Sequence, residues 1–443
     1  MKDEVIVGYL DSPDGKIIIY GNDYSFIFAK SENHSRITKI VPDIDGYIWA
    51  KMADGSYIGI HAGQTIDIKD VRRLNTWSYL EVKDKDFDPK SYVFSGVRLS
   101  NGSLKSVFSC NAIEPDFENN KKDGIVYKYK DDTITFETSL DGKCVKWEFG
   151  SRITEKMSIM EGNSLENKDV CLDITFQNGC NLHEIQESYR ITERLISFLT
   201  FQREVEFKKI ELLREGDYGT ETIGNVNIRI FDNVEVREFV EVINVVYLKE
   251  VVFDNLVKTL SSDDLKTKGL PLEILPDGKR NEYRVTVGRI RAICSALEME
   301  LDARKVAVSK NDELEKLVNE IKGIIKNHRK KLHTLSDKTY DSISGSLAHW
   351  NNPLAERIIK AWNEHVEILR PFLCRYGIDV FDEDINEFVK ARNNVTHNGL
   401  ISLDNKVVNT AFVLMALTYV CTLERMGMET KYIEDIMGKR LFR

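Results

Sequence analysis

Proline is scarce in this chain: there are eight in 443 residues, and only Pro353 and Pro371 lie beyond residue 284. Both fall where loops or first helical turns are expected, the places where proline costs a helix least, so the later part is open to long helices. The seven cysteines (Cys110, Cys144, Cys171, Cys180, Cys294, Cys374, Cys421) are scattered, odd in number and never spaced as CxxC. That excludes a disulfide framework and a zinc ribbon, and predicts buried or half-buried thiols with no structural metal. No run reaches the ~18 to 20 uninterrupted apolar residues of a membrane span. The opening stretch MKDEVIVGYL places acids directly after Lys2, with no apolar core of signal-peptide length, so a cytoplasmic protein is expected. There is no Walker loop and no GxSxG, and HEIQE at 183 is not HExxH. Nucleotide-hydrolysing, serine-hydrolase and zinc-protease chemistry are left without a motif.

What the chain does have is ordinary globular material, 42% apolar and 30% charged, in a length that suits two or three domains. The net charge of −9 is unevenly spread. From residue 281 onward, 25 Lys and Arg face 23 Asp and Glu, a balance of +2, which leaves −11 for residues 1–280. Nucleic acid would have to be bound through local patches and not through the global field.

Residues 1–180 hold short β-branched and aromatic runs such as GKIIIYG, YSFIFAK, GYIWAKM and TITFETSLDGKCVKWEFG, separated by Gly, Asp and Asn at hairpin distances. They predict an antiparallel β-rich domain, a sandwich or an open barrel. Its aromatics Trp49, Tyr57, Trp77, Tyr79 and Trp147 read as core or half-core, with no polar cluster to mark a binding pocket. Over 181–283 the period changes. LHEIQESYRITERLISFLTFQ spaces Ile185, Tyr189, Leu195, Phe198 and Leu199 as an amphipathic helix, EVEFKKIELL and GNVNIRIF read as strands, and 250–283 reads as connector. Residues 284–443 read as helical almost throughout, with VTVGRIRAICSALEMELDARKVAVS and NDELEKLVNEIKGIIKNHRKKLHTLS as one interrupted helix or two. The expected fold is α+β and multidomain, ending in an all-α antiparallel bundle of four or five helices.

The chemistry gathers in EFVKARNNVTHNGLIS, residues 387–402. Arg392 and His397, five apart, lie about 140° from each other on an ideal helix, whereas Asn393 and His397 share a face. Asn398-Gly399 is a helix stop, which puts His397 in or just beyond the last turn. A guanidinium, an amide and an imidazole at one helix end suit cleavage of an RNA backbone without metal. The histidine exchanges a proton with the ribose 2′-OH or the leaving 5′-oxygen, the arginine neutralises the charge building on phosphorus, and Asn393 orients either. The nucleophile belongs to the substrate, so no cofactor, serine or cysteine is needed and the product ends in a 2′,3′-cyclic phosphate.

RNNVTH resembles the R-x(4–6)-H signature of HEPN domains, and AICSALEMELDARK looks like the first HEPN helix with its acidic residue, Glu298. SGSLAHWNNPLAERIIKAW and ERLISFLTFQREVEFKKIEL are similar in pattern to segments of the ApeA-like anti-phage proteins, which join a β-rich N-terminal domain to a C-terminal HEPN domain. The resemblance covers the architecture of the whole chain, with specific signals only in residues 285–425. It implies a metal-independent endoribonuclease, acting as a homodimer through the HEPN domain. In abortive infection such an enzyme cuts cellular RNA such as tRNA after a phage-derived trigger. Arg392 and His397 become catalytic, Asn393 supportive and Glu298 a second-sphere partner, and a composite site shared by two chains would remove the 140° difficulty. Many HEPN domains are instead inactive interaction modules, so the alternative is a non-catalytic dimerisation or partner-binding bundle with a ligand-binding β-domain. A third reading is a carbohydrate- or peptide-binding sandwich with a helical dimerisation tail.

In KNHRKKLH, residues 326–333, Lys326, Arg329, Lys330 and Lys331 read either as an RNA-phosphate contact or as a solvated helix end that complements the macrodipole. His328 and His333 are five apart and so do not form a helical metal pair. His349 and Trp350 precede a helix that Asn352 would cap with Pro353 at its first position. There they read as packing at a junction or as a base-stacking pair.

Overall fold

In the computed structural model the chain divides into two compact units, Met1–Ser261 and Ser262–Arg443. The structure describes residues 6–12, 15–22, 24–31, 37–84, 87–109, 113–115, 127–129, 132–158, 162–217, 219–229, 242–261, 271–276, 285–306, 312–332, 334–350, 353–398, 404–439 and 441, and within these the side chains of 6–7, 22, 113–115, 127–129, 153–168, 271, 273, 312, 345–346, 348–350 and 395–398 lie outside the description.

Alternation of buried and exposed residues builds the first unit. Its strands are β1 (Ile6–Ser12), β2 (Gly15–Asn22), β3 (Ser25–Lys30), β4 (Thr38–Ile40), β5 (Tyr47–Met52), β6 (Tyr57–His61), β7 (Ile66–Ile68), β8 (Val71–Asn75) and β9 (Ser78–Val82), then β10 (Phe94–Ser100), β11 (Ile113–Pro115), β12 (Tyr127–Tyr129), β13 (Ile134–Leu140), β14 (Lys143–Ser158), β15 (Gly162–Cys180), β16 (Lys209–Gly216) and β17 (Gly219–Ile228). Thirteen of them form one antiparallel sheet in the order β13-β14-β15-β10-β16-β17-β9-β6-β5-β1-β2-β3-β8, while β4–β7 and β11–β12 are two-stranded ribbons. Strand order thus describes one continuous hydrogen-bonded sheet in place of the separate sheets of a sandwich. The β13–β14 hairpin closes through Asp141-Gly142, both at positive φ (48° and 81°), the Asp-Gly chemistry that a two-residue turn of matching twist requires. Ile17, Ile19, Phe26, Phe28, Ile58 and Ile60 form one core with Ile66 and Ile68 of the β4–β7 ribbon.

Among the described residues two α-helices join this unit. The first, α1 (Leu182–Thr200), starts at a reciprocal capping box: Asn181 Oδ1 accepts from the Glu184 amide and Glu184 Oε2 from the Asn181 amide, both at 2.9 Å. The second, α2 (Glu250–Ser261), lies in the stretch expected to be connector. Val252, Phe253, Leu256, Val257 and Leu260 are buried, and the Phe253 ring stacks on Phe136 of β13 with centroids 4.1 Å apart. The helical spacing was therefore there, and it binds the segment to the sheet.

The second unit is helical, as expected, with seven α-helices among the described residues: α3 (Val287–Ala303), α4 (Asp312–Lys331), α5 (Asp337–Trp350), α6 (Leu354–Tyr376), α7 (Asp382–Asn398), α8 (Asn405–Arg425) and α9 (Thr430–Met437). The two long segments after residue 284 are thus separate helices. α8 packs against α3, α6, α7 and α9. It is long and apolar enough to cross a membrane, yet 78% of that stretch is buried inside the protein, which is the pattern of a core helix. The proline expectation holds for Pro353, which opens a helix, and fails for Pro371. Pro353 takes the N-cap position of α6 without a side-chain cap, while Asn352 lies outside the described residues, and Pro371 sits inside α6. Its missing N–H would have paired with the carbonyl of Glu367, an exposed residue, so the lost bond falls on the solvent side of the helix.

Candidate functional site

Helix α7 buries Ile385, Phe388 and Ala391, one stripe at three-residue steps, and Arg392 stands at the edge of that stripe. Its guanidinium lies 3.6 Å from Glu298 Oε2 on α3, with the two side chains 30% and 33% exposed. It also donates from Nη1 to Asn393 Oδ1 at 3.1 Å. A half-exposed pair of this kind is worth ~0–1 kcal/mol. It orients the guanidinium, and a phosphate offering bidentate hydrogen bonds can displace it.

One turn before Glu298, Cys294 is fully buried. Burial pushes its thiol up to about 12; the Arg392 charge works against this and Glu298 adds to it. The sulfur is therefore protonated at neutral pH and offers no thiolate. The sequence signal for this neighbour was the four-residue step from Cys294 to Glu298.

Asn393 is exposed. His397 falls in the last turn of α7, which runs through Asn398, and its side chain lies outside the described residues. Positions 392 and 397 are therefore about 140° apart around the helix axis, and position 397 is one turn beyond 393 on the same stripe.

Among the basic residues, Lys326, Lys330 and Lys331 are exposed in the closing turns of α4. Arg329 is engaged within the α4–α5 pair: Nη2 lies 2.7 Å from Asp337, Nη1 lies 2.8 Å from Asp341, and the guanidinium rests 5.8 Å from the centre of the Tyr340 ring. His328 Nδ1 meets the Tyr340 hydroxyl at 2.8 Å. His333 and the side chains of His349 and Trp350 lie outside the described residues, although the backbone puts 349 and 350 at the end of α5, just before α6, as expected of a helix junction. Among the described residues no group of three His, Cys, Asp or Glu side chains is placed to hold a metal ion.

A buried ionic network passed unnoticed in the sequence. Glu300 of α3, fully buried, takes a bidentate contact from Arg425 (2.8 and 2.9 Å) and a hydrogen bond from Thr422. Glu424 accepts from Arg304 at 2.9 Å and meets His365 Nε2 at 2.8 Å. These contacts lock α3, α6 and α8 together and so fix the helix that carries Glu298. The available signal was a Glu-Arg pair ending an otherwise apolar helix, TAFVLMALTYVCTLER.

In the first unit the aromatics divide. Trp147 is fully buried, Trp49, Tyr57 and Tyr79 are half-buried, and Trp77 is 47% exposed. Trp77 lines a mostly apolar cavity of about 290 Å³ between α1 and the sheet, which no polar cluster marked in the sequence. Comparisons of the chain with protein-family models, with curated proteins and with solved structures gave no match.

Proposed function

We propose that the second unit is a metal-independent endoribonuclease of HEPN type, acting in anti-phage defence by cutting cellular RNA such as tRNA. The observation that carries this reading is the arginine at the edge of α7, held by Glu298 and Asn393 on a helix that continues through His397. In the proposed step His397 takes the proton of a ribose 2′-OH, and the 2′-oxygen bonds to phosphorus as the P–O5′ bond breaks. The 5′-oxygen leaves with the proton that His397 took up, and Arg392 neutralises the equatorial oxygens. The products are a 2′,3′-cyclic phosphate and a 5′-hydroxyl. A homodimer brings Arg392 of one chain to His397 of the other, which suits positions about 140° apart on one helix.

The engagement of Arg392 with Glu298 favours a second reading, an interaction module in which the same pair is structural. Incubating the protein with total bacterial RNA in EDTA, beside Arg392→Ala and His397→Ala, separates the two. The nuclease reading expects cyclic-phosphate ends from the parent and a loss of at least 100-fold in both variants, a scale typical of removing an acid–base or charge-stabilising group. Equal cleavage by parent and variants sinks the site assignment. RNA left intact by the parent, with or without infected-cell lysate, favours the module.

A further inference from the structure

The cavity of the first unit is built from residues far apart in sequence. One wall is a single stripe of α1, Leu182, Ile185, Gln186, Tyr189, Arg190 and Glu193, whose three- and four-residue steps put them on one helix face. The opposite wall is aliphatic, with Leu80 of β9, Ile210 of β16, and Val226 and Ile228 of β17. Trp77 joins them from the turn before β9. That turn is tied down: the Trp77 carbonyl accepts from the Arg229 amide at 2.8 Å, and Thr76 Oγ1 contacts the carbonyls of His61 and Ser78 at 2.7 and 2.8 Å. The indole also meets the His61 ring edge-on, with centroids 4.9 Å apart. A half-exposed tryptophan on a fixed turn beside an aliphatic hollow is a preformed aromatic surface.

The polar groups are few. The Tyr47 hydroxyl accepts from Gln186 Nε2 at 3.0 Å and lies 3.5 Å from Ser78 Oγ, so these three satisfy one another. Glu193 is hydrogen-bonded to the Tyr189 phenol, and burial holds its carboxyl above the ordinary carboxylate range. A carboxylate has about four acceptor positions, more than the Tyr189 hydrogen bond fills.

Size and polarity then select a ligand class. A cavity of about 150 Å³ holds benzene, so about 290 Å³ takes a bicyclic ring. A nucleobase brings several edge donors and acceptors into a mostly aliphatic space, each costing ~1–3 kcal/mol if unpaired. An alkyl chain leaves Glu193 facing methylenes. An aromatic body with one donor meets neither objection.

We propose that this cavity binds an aromatic ring of indole size carrying a single N–H or O–H donor, which the Glu193 carboxylate accepts while the ring packs between α1 and β9–β17 beside Trp77. The ring belongs either to a free small molecule or to an aromatic side chain of a peptide. The proposal stands apart from the nuclease reading of the second unit.

Titrating the full chain calorimetrically with indole and with indene, the same shape without the N–H, tests it. Indole is expected to bind saturably and about tenfold more tightly than indene. Glu193→Leu should erase that preference while indene still binds, and Val226→Phe should fill the space and remove both. Circular dichroism and melting check that each variant folds; if either does not, the parent's indole-to-indene ratio decides alone. N-acetyl-tryptophanamide binding as tightly as indole assigns the ring to a peptide, and its failure beside bound indole assigns it to a small molecule. No saturable indole binding, equal binding of indole and indene by the parent, or tighter binding of guanosine or a fatty acid, overturns the proposal.

Discussion

His365 is 3% exposed, and each ring nitrogen faces an acceptor: Nδ1 lies 2.6 Å from the Ala361 carbonyl and Nε2 lies 2.8 Å from Glu424. Only the doubly protonated ring donates to both. Burial alone would lower the imidazole pKa, but the Glu424 hydrogen bond, the Ala361 carbonyl and the Glu424 charge outweigh it and hold the pKa above 6.5. The stabilisation is therefore complete below the unfolded value of about 6.5 and is lost as pH rises through the raised folded value. Glu424 is shifted the other way, below 4.5, first by its hydrogen bond to His365, so its share is present above 4.5 and fades as pH falls through its folded value. His365→Gln should cost about 1–3 kcal/mol near pH 6 and markedly less at pH 9, read from urea unfolding at both pH values. A cost that does not change with pH would contradict the protonated ring. At this scale the sequence singled out Arg392 and Asn393 by their types and spacing, and Glu298 only through the resemblance to a HEPN helix. It was silent on His365 and Glu300, whose partners lie 59 and 125 residues away.

Helix α1 was legible because its buried face repeats at three- and four-residue steps over nineteen residues and opens with Asn-x-x-Glu. Helix α5 was not. DKTYDSISGSLAHW is rich in Ser, Thr and Gly, which compete for backbone hydrogen bonds or lose entropy in a helix, and it is held instead by Arg329 and by the buried Tyr340. Helix α2 was missed for another reason, the SSDD turn chemistry that follows it. Its anchor is testable. The Phe253 ring stacks on Phe136 and meets Trp147 and Phe149 edge-on, so Phe253→Ala should cost about 3–5 kcal/mol, measured by denaturant unfolding of the full chain. A loss under ~1 kcal/mol would mean that α2 is not held by this ring.

The −11 of residues 1–280 against the +2 of the remainder and the division at Ser261 describe a chain of two chemically different halves. The β-rich character and several hairpins were readable from turn residues, whereas the strand order, which sets β10 beside β16 and β17 beside β9, depends on pairings across more than a hundred residues and left no local trace. If the nuclease is a dimer with sites shared between copies, inactive Arg392→Ala and His397→Ala chains should complement each other. Random mixing makes half of the dimers mixed, each with one intact site of two, so about a quarter of the parental activity should return. No recovery after denaturation and co-refolding would place both residues of each site on one chain. Helix α8 has a consequence for synthesis as well. It packs against α3, α6 and α7, all of which leave the ribosome before it, so a nascent chain halted before Asn405 bares the apolar surface that α8 covers on three helices. The core of this half is therefore complete only once Asn405–Arg425 has been made, and until then the growing chain exposes apolar surface that favours misassembly.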